Sequence, residues 1–129
     1  GKYMNWKRSI VAGFAGTNLA TIDFGGQGGG TLLIHGMMGR ATTWSLTAEW
    51  LTEHGKVVGY DARGHGLSDA PDGPYDRNAH VEDAAAVIKA HGLAPAVVIG
   101  HSMGALTAWQ LASKHPDLVK SVIIGDMAG

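Results

Sequence analysis

The sequence contains no cysteine, which removes disulfides, a thiol nucleophile and thiolate-bound zinc as explanations of what it does. It also lacks a charge of either sign to speak of. With histidines neutral the net charge is −1, so no general attraction to nucleic acid or to an anionic membrane is expected. No apolar run approaches the ~18 residues of a membrane-spanning helix, and the N-terminus has no apolar signal-peptide core. These absences lead us to expect a cytoplasmic protein. What is present is the composition of a globular domain, 45% apolar and only 16% charged over 129 residues. The 20 glycines gather at Gly25–Gly30 and at turns rather than in a low-complexity tract, and there is no internal repeat.

The chain is organised around Val97-Val98-Ile99-Gly100-His101-Ser102-Met103-Gly104-Ala105-Leu106. A β-branched run stops at a glycine, a Gly-x-Ser-x-Gly pattern follows, and then a helical pattern begins. That order predicts a strand turning sharply into a helix with Ser102 at the bend. Gly100 and Gly104 let the two elements pass closely. A serine so placed projects beyond the carboxyl edge of the sheet, at a helix N-terminus whose N–H groups face incoming negative charge.

The rest of the chain fits around this turn. Ser9–Phe14 and Leu19–Phe24 read as a hairpin joined by Ala15-Gly16-Thr17-Asn18. Gly25–Gly30 reads as a connector rather than a phosphate loop, because no helix follows it and no Lys-Ser/Thr pair is present. Thr31–Ile34 and Lys56–Asp61 are predicted as strands buried on both faces. A helix from Trp44 to His54 lies between them, with Trp44, Ala48 and Leu51 on one face, Thr43 as N-cap and Gly55 as C-cap. A second helix covers Asn78–His91, with Val81, Ala85 and Ile88 at core spacing. A third covers Met103–His115, with Leu106, Trp109 and Ala112 as its apolar positions. A last strand runs Ser121–Gly125, ending in Asp126. The alternation predicts a mostly parallel α/β sheet with helices on both faces, and a site beyond the carboxyl ends of its strands, where His35, Asp61, Ser102 and Asp126 fall.

Three ordered motifs, His35-Gly36-Met37-Met38-Gly39, Asp61-Ala62-Arg63-Gly64-His65-Gly66-Leu67-Ser68 and Gly100-His101-Ser102-Met103-Gly104, resemble those of the α/β-hydrolase fold family. Within it the chain looks most like the serine esterase, lipase, aminopeptidase and carbon–carbon-bond hydrolase group. The resemblance implies Ser102 as nucleophile and the backbone N–H groups of Met37 and Met103 as an oxyanion hole. Serine at the elbow, where epoxide hydrolases and haloalkane dehalogenases of this fold carry aspartate, implies an acyl-enzyme route.

The resemblance covers the family's first half only, up to the sixth strand, and stops before the segments that normally carry the catalytic histidine and acid. The expected domain is therefore an N-terminal half of a hydrolase core over residues 1–129. A second polypeptide would carry the lid, the remaining strands and the histidine, the end at Gly129 falling where the family inserts its lid. Asp126 is a candidate acid, against the reading of a strand-end aspartate that shapes the next loop. His35, Gly36 and His101 are read as loop and pocket support, with proton transfer by His35 or His101 as the alternative. His65 is read as holding its own glycine-rich loop, and Asp61 with Arg63 as a local loop network. Asp83 is read as a surface or packing residue on its helix. His54, His80, His91 and His115 are read as solvated. No two histidines share an element with a carboxylate at metal-binding spacing, so no metal is expected, and the chemistry calls for no cofactor. The expected partner is a small-molecule substrate. The competing reading is a small-ligand binding or signalling protein on the same scaffold with little turnover.

Overall fold

A computed structural model describes residues 6–125. Six strands form one sheet: β1 (Lys7–Ala12), β2 (Asn18–Gly25), β3 (Gly30–Ile34), β4 (Lys56–Tyr60), β5 (Ala96–Gly100) and β6 (Val119–Ile124). Their order across the sheet is β1-β2-β4-β3-β5-β6. β1 and β2 form the expected antiparallel hairpin, and β2 runs antiparallel to β4. The remaining neighbours pair in parallel. Three helices, α1 (Ser45–Leu51), α2 (Arg77–Ala90) and α3 (Met103–Lys114), make the crossovers. None is long and apolar enough to cross a membrane.

The continuous apolar runs are explained by the two-faced sheet. Leu32, Ile34, Val58 and Val98 point to one side, where they pack with Val81, Ala85 and Ile88 of α2 and Ala108 and Leu111 of α3. Their sequence neighbours Leu33, Val57 and Ile99 point to the other, against Trp44 and Ala48. Successive strand residues alternate faces, so burial of both faces requires an unbroken apolar string.

Several expectations are corrected. The first strand ends at Ala12, and Phe14–Gly16 forms a 3₁₀ turn in which Ala15 takes a positive φ of 54°. The first helix opens as a 3₁₀ turn over Ala41–Trp44 and is α-helical only from Ser45 to Leu51. Thr43 does not cap it. The Thr43 hydroxyl instead accepts the Arg40 N–H at 3.1 Å, and Thr52–Gly55 form a turn rather than a helix end capped by Gly55. In α3 the buried positions are Gly104, Thr107, Ala108 and Leu111, while Leu106 and Trp109 are exposed.

Charged residues also sit deeper than expected. Of the two readings of Asp83 the packing one holds: it is buried and forms a two-point pair with the fully buried Arg63, Nε and Nη2 donating at 2.6 and 2.8 Å. Arg63 also donates to the carbonyls of Pro74 and Phe14, and the Phe14 N–H donates to Asp83. The pair thus ties α2 to two distant loops instead of serving one loop. His80 is buried. His91 Nε2 bonds the Thr21 hydroxyl at 3.0 Å, and His115 Nε2 lies 2.8 Å from a Glu82 oxygen. None of these three is a freely solvated ring.

Candidate active site

Strand β5 ends at Gly100 and α3 begins at Met103, leaving two residues for the reversal. Ser102 absorbs it with φ 55° and ψ −119°, a conformation rarely taken by a residue with a Cβ. Close crossing makes the flanking glycines necessary. A Cβ on Gly100 would collide with the Gly104 carbonyl, and one on Gly104 with the Ile34 carbonyl of β3. Ser102 is left exposed at the sheet edge.

Parallel pairing brings a second loop to the same place. Ile34 lies opposite Gly100, and the His101 N–H donates to the Ile34 carbonyl at 3.2 Å, so the loop from His35 to Gly39 leaves the sheet beside the elbow. Gly36 sits tightly there: a Cβ on it would lie 2.7 Å from His101 Nδ1 and 3.3 Å from Ser102 Cβ. The two loops enclose an open depression of about 340 Å³, lined by Gly36, Met37, Met38, Gly39, Thr43, His101 and Ser102. Among the described residues, no hydrogen bond engages the backbone N–H of Met37 or of Met103. Neither sulfur-bearing side chain is needed for those N–H groups to act, and the Met37 side chain is largely exposed.

His35 is buried beneath this loop. The Ala62 N–H donates to its Nε2 at 2.9 Å, so the proton sits on Nδ1, which donates to the Gly36 carbonyl at 2.6 Å. Burial lowers its pKa from the ordinary 6.5, with the nearby His65 acting the same way and the Gly36 bond opposing. His35 is thus a neutral strut with both ring nitrogens engaged. Asp61, at the end of β4, accepts the Ala41 N–H at 2.6 Å and the Leu67 N–H at 2.8 Å, joining this loop to the next.

His35, Gly36, Met37, His101, Ser102 and Met103 therefore meet at one edge. Asp126 lies outside the described residues; β6 brings Gly125 against Gly100, its N–H donating to the Gly100 carbonyl at 2.8 Å. Two contributors escaped the sequence reading. Thr43 lines the depression, and His65 Nε2 reaches the Met37 carbonyl at 2.6 Å. Position 65 carries no periodic or spacing signal that could name a partner in a loop so far back in the chain.

Residues 32–126 match the family model described as alpha/beta hydrolase fold. A 2-(acetamidomethylene)succinate hydrolase of Mesorhizobium japonicum is 33% identical over 82% of this chain and 39% of its own length. The N-formylmaleamic acid deformylase Nfo of Pseudomonas putida S16 superposes with a TM-score of 0.83 at 34% identity, over 92% of this chain and 46% of that one. The epoxide hydrolase VrEH1 of Vigna radiata superposes with a TM-score of 0.89 over 96% of this chain and 39% of that one, at 24% identity, a likeness of fold. The matched regions thus cover less than half the length of each of these proteins. By its family match and by these relatives, the chain belongs to the alpha/beta hydrolase fold family.

Proposed function

We propose that this chain supplies the nucleophile and the oxyanion site of a serine hydrolase that works through an acyl-enzyme on an ester, an amide or an activated carbon–carbon bond. The observation that carries the reading is Ser102 itself: an exposed hydroxyl on strained backbone, at a helix N-terminus, beside two N–H groups that no hydrogen bond engages among the described residues. In this reading the Ser102 oxygen bonds to the substrate carbonyl carbon and gives its proton to a histidine outside residues 1–129. The Met37 and Met103 N–H groups hold the resulting oxyanion. Collapse expels the leaving group with that proton, and water then releases the acid. Asp126, the residue that follows Gly125 in the sequence, is the candidate acid. The relatives named as a succinate-derivative hydrolase and a deformylase agree with acyl-bond cleavage.

A further segment, in this or a second polypeptide, completes the protein beyond β6 and brings the histidine. The test is labelling of the complete gene product containing residues 1–129 with a fluorophosphonate probe, read by intact mass. The expected result is one adduct, lost in Ser102→Ala together with p-nitrophenyl acetate turnover, which falls by about 10⁴-fold or more. Labelling that survives Ser102→Ala overturns the reading. Labelling without turnover on a p-nitrophenyl ester panel favours a ligand-binding role.

A further inference from the structure

The Met37 N–H can hold an oxyanion only if the two peptide planes flanking Met37 are fixed. The plane before it carries the Gly36 carbonyl together with that N–H, and His35 donates to the carbonyl at 2.6 Å. The plane after it carries the Met37 carbonyl, which faces His65 Nε2 at 2.6 Å. Apolar anchoring offers little here, since Met38 is 96% exposed and Met37 largely so. The loop depends on polar ties: these two rings, the Gly39 N–H on the Gly36 carbonyl at 3.0 Å and the Ala41 N–H on Asp61.

We infer that His65 is a positioning residue for the oxyanion site, its Nε2–H holding the Met37 carbonyl and thereby aiming the Met37 N–H at the atom that becomes negative. The inference rests on the serine-hydrolase reading above. The ring's other nitrogen, Nδ1, faces the Arg63 carbonyl at 3.1 Å, a tie within its own loop. A neutral imidazole has one N–H for these two acceptors, and the shorter contact takes it. Asp61 accepts from Leu67 in the His65 loop and from Ala41 after the Met37 loop, so one carboxylate ties the two loops together. Donation to the carbonyl on one side of Met37 and to the carbonyl on the other leaves its N–H a single direction.

The two nitrogens allow a discriminating experiment. A glutamine amide nitrogen reaches the position of Nε2, whereas an asparagine amide nitrogen reaches only that of Nδ1. In the complete gene product, with p-nitrophenyl acetate as probe, His65→Asn is expected to lower kcat about tenfold, part of the ~10²–10³-fold that follows loss of an oxyanion donor, with KM within about twofold. His65→Gln is expected to recover kcat to within about threefold. Long-range ¹H–¹⁵N spectra of the unliganded protein are expected to place a proton on His65 Nε2. Equal loss in both variants, no loss in His65→Asn, a change in KM alone, or a bare Nε2 each overturns the inference. Ser102→Ala distinguishes the failures. If turnover survives it, the serine reading falls and takes this inference with it. If turnover is lost but His65→Asn is fully active, only the positioning role falls.

Discussion

Histidine illustrates how one residue type divides by surroundings. His35, His80 and His91 all have pKa values lowered from 6.5, in each case chiefly by burial, with Arg77 adding to the effect at His80. The unfolded chain takes up protons at these sites near pH 6.5, while the folded one resists. Unfolding therefore releases the three rings to be charged, and stability present above pH 6.5 is lost as the pH falls through and below it. Glu82, its pKa lowered from 4.5 mainly by Lys114 and His115, adds a further loss in stronger acid. Urea midpoints measured from pH 7.5 down to 5 are expected to fall steadily; a flat profile contradicts the burial of these rings. Sequence alone assigned His80 and His91 to solvent because both fall near helix ends. What decides the matter is tertiary: the Thr21 hydroxyl on β2 meets His91, a contact 70 residues apart in the chain, and His80 is buried with Arg63 and Asp83 nearby.

At the scale of elements, the strands were legible because burial on both faces leaves a string of apolar residues that no exposed segment shows. Thr31–Ile34, Ala96–Gly100 and Lys56–Tyr60 were found to within a residue. The elbow was legible for the same reason, a buried strand interrupted by small residues. The α3 face was not. Leu106, Trp109 and Ala112 have helical spacing and apolar character, yet the face against the sheet uses Gly104, Thr107, Ala108 and Leu111. A helix that crosses a strand at the Gly100–Gly104 contact must present small residues at that crossing, so Leu106 and Trp109 point away from it while Leu111 packs further along. Leu111→Ala is expected to cost about 2–5 kcal/mol, against under about 1 kcal/mol for Ser113→Ala on the exposed side, by denaturant melts. Comparable losses would return α3 to the predicted facing. The tie between His65 and Met37 was equally hidden, since loop-to-loop contacts follow from strand order, and that order is not written in either loop.

For the molecule as a whole, large apolar side chains stay exposed both on α3 and on the edge strand β6. Trp109, Leu106, Ile123 and Ile124 are all exposed, and β6 has no strand on its outer side among the described residues. An apolar parallel edge is a template for association. With these relatives about twice as long, these observations support our proposal that further chain covers this side. Residues 1–129 expressed alone are expected to self-associate in size-exclusion chromatography with light scattering, and Ile123→Lys to reduce it. A well-folded monodisperse monomer of the unaltered chain would remove the need for a covering segment.

The backbone at position 102 carries a last consequence, one of stability rather than chemistry. Alanine and glycine both delete the hydroxyl, but alanine keeps the Cβ that φ 55° disfavours, and glycine does not. Relief of conformations of this kind is worth on the order of 1 kcal/mol or more. Ser102→Gly is therefore expected to melt above Ser102→Ala, and above the unaltered protein as well. Mutational scans that select for abundance alone would then drift toward glycine at the very position where our proposal puts the nucleophile.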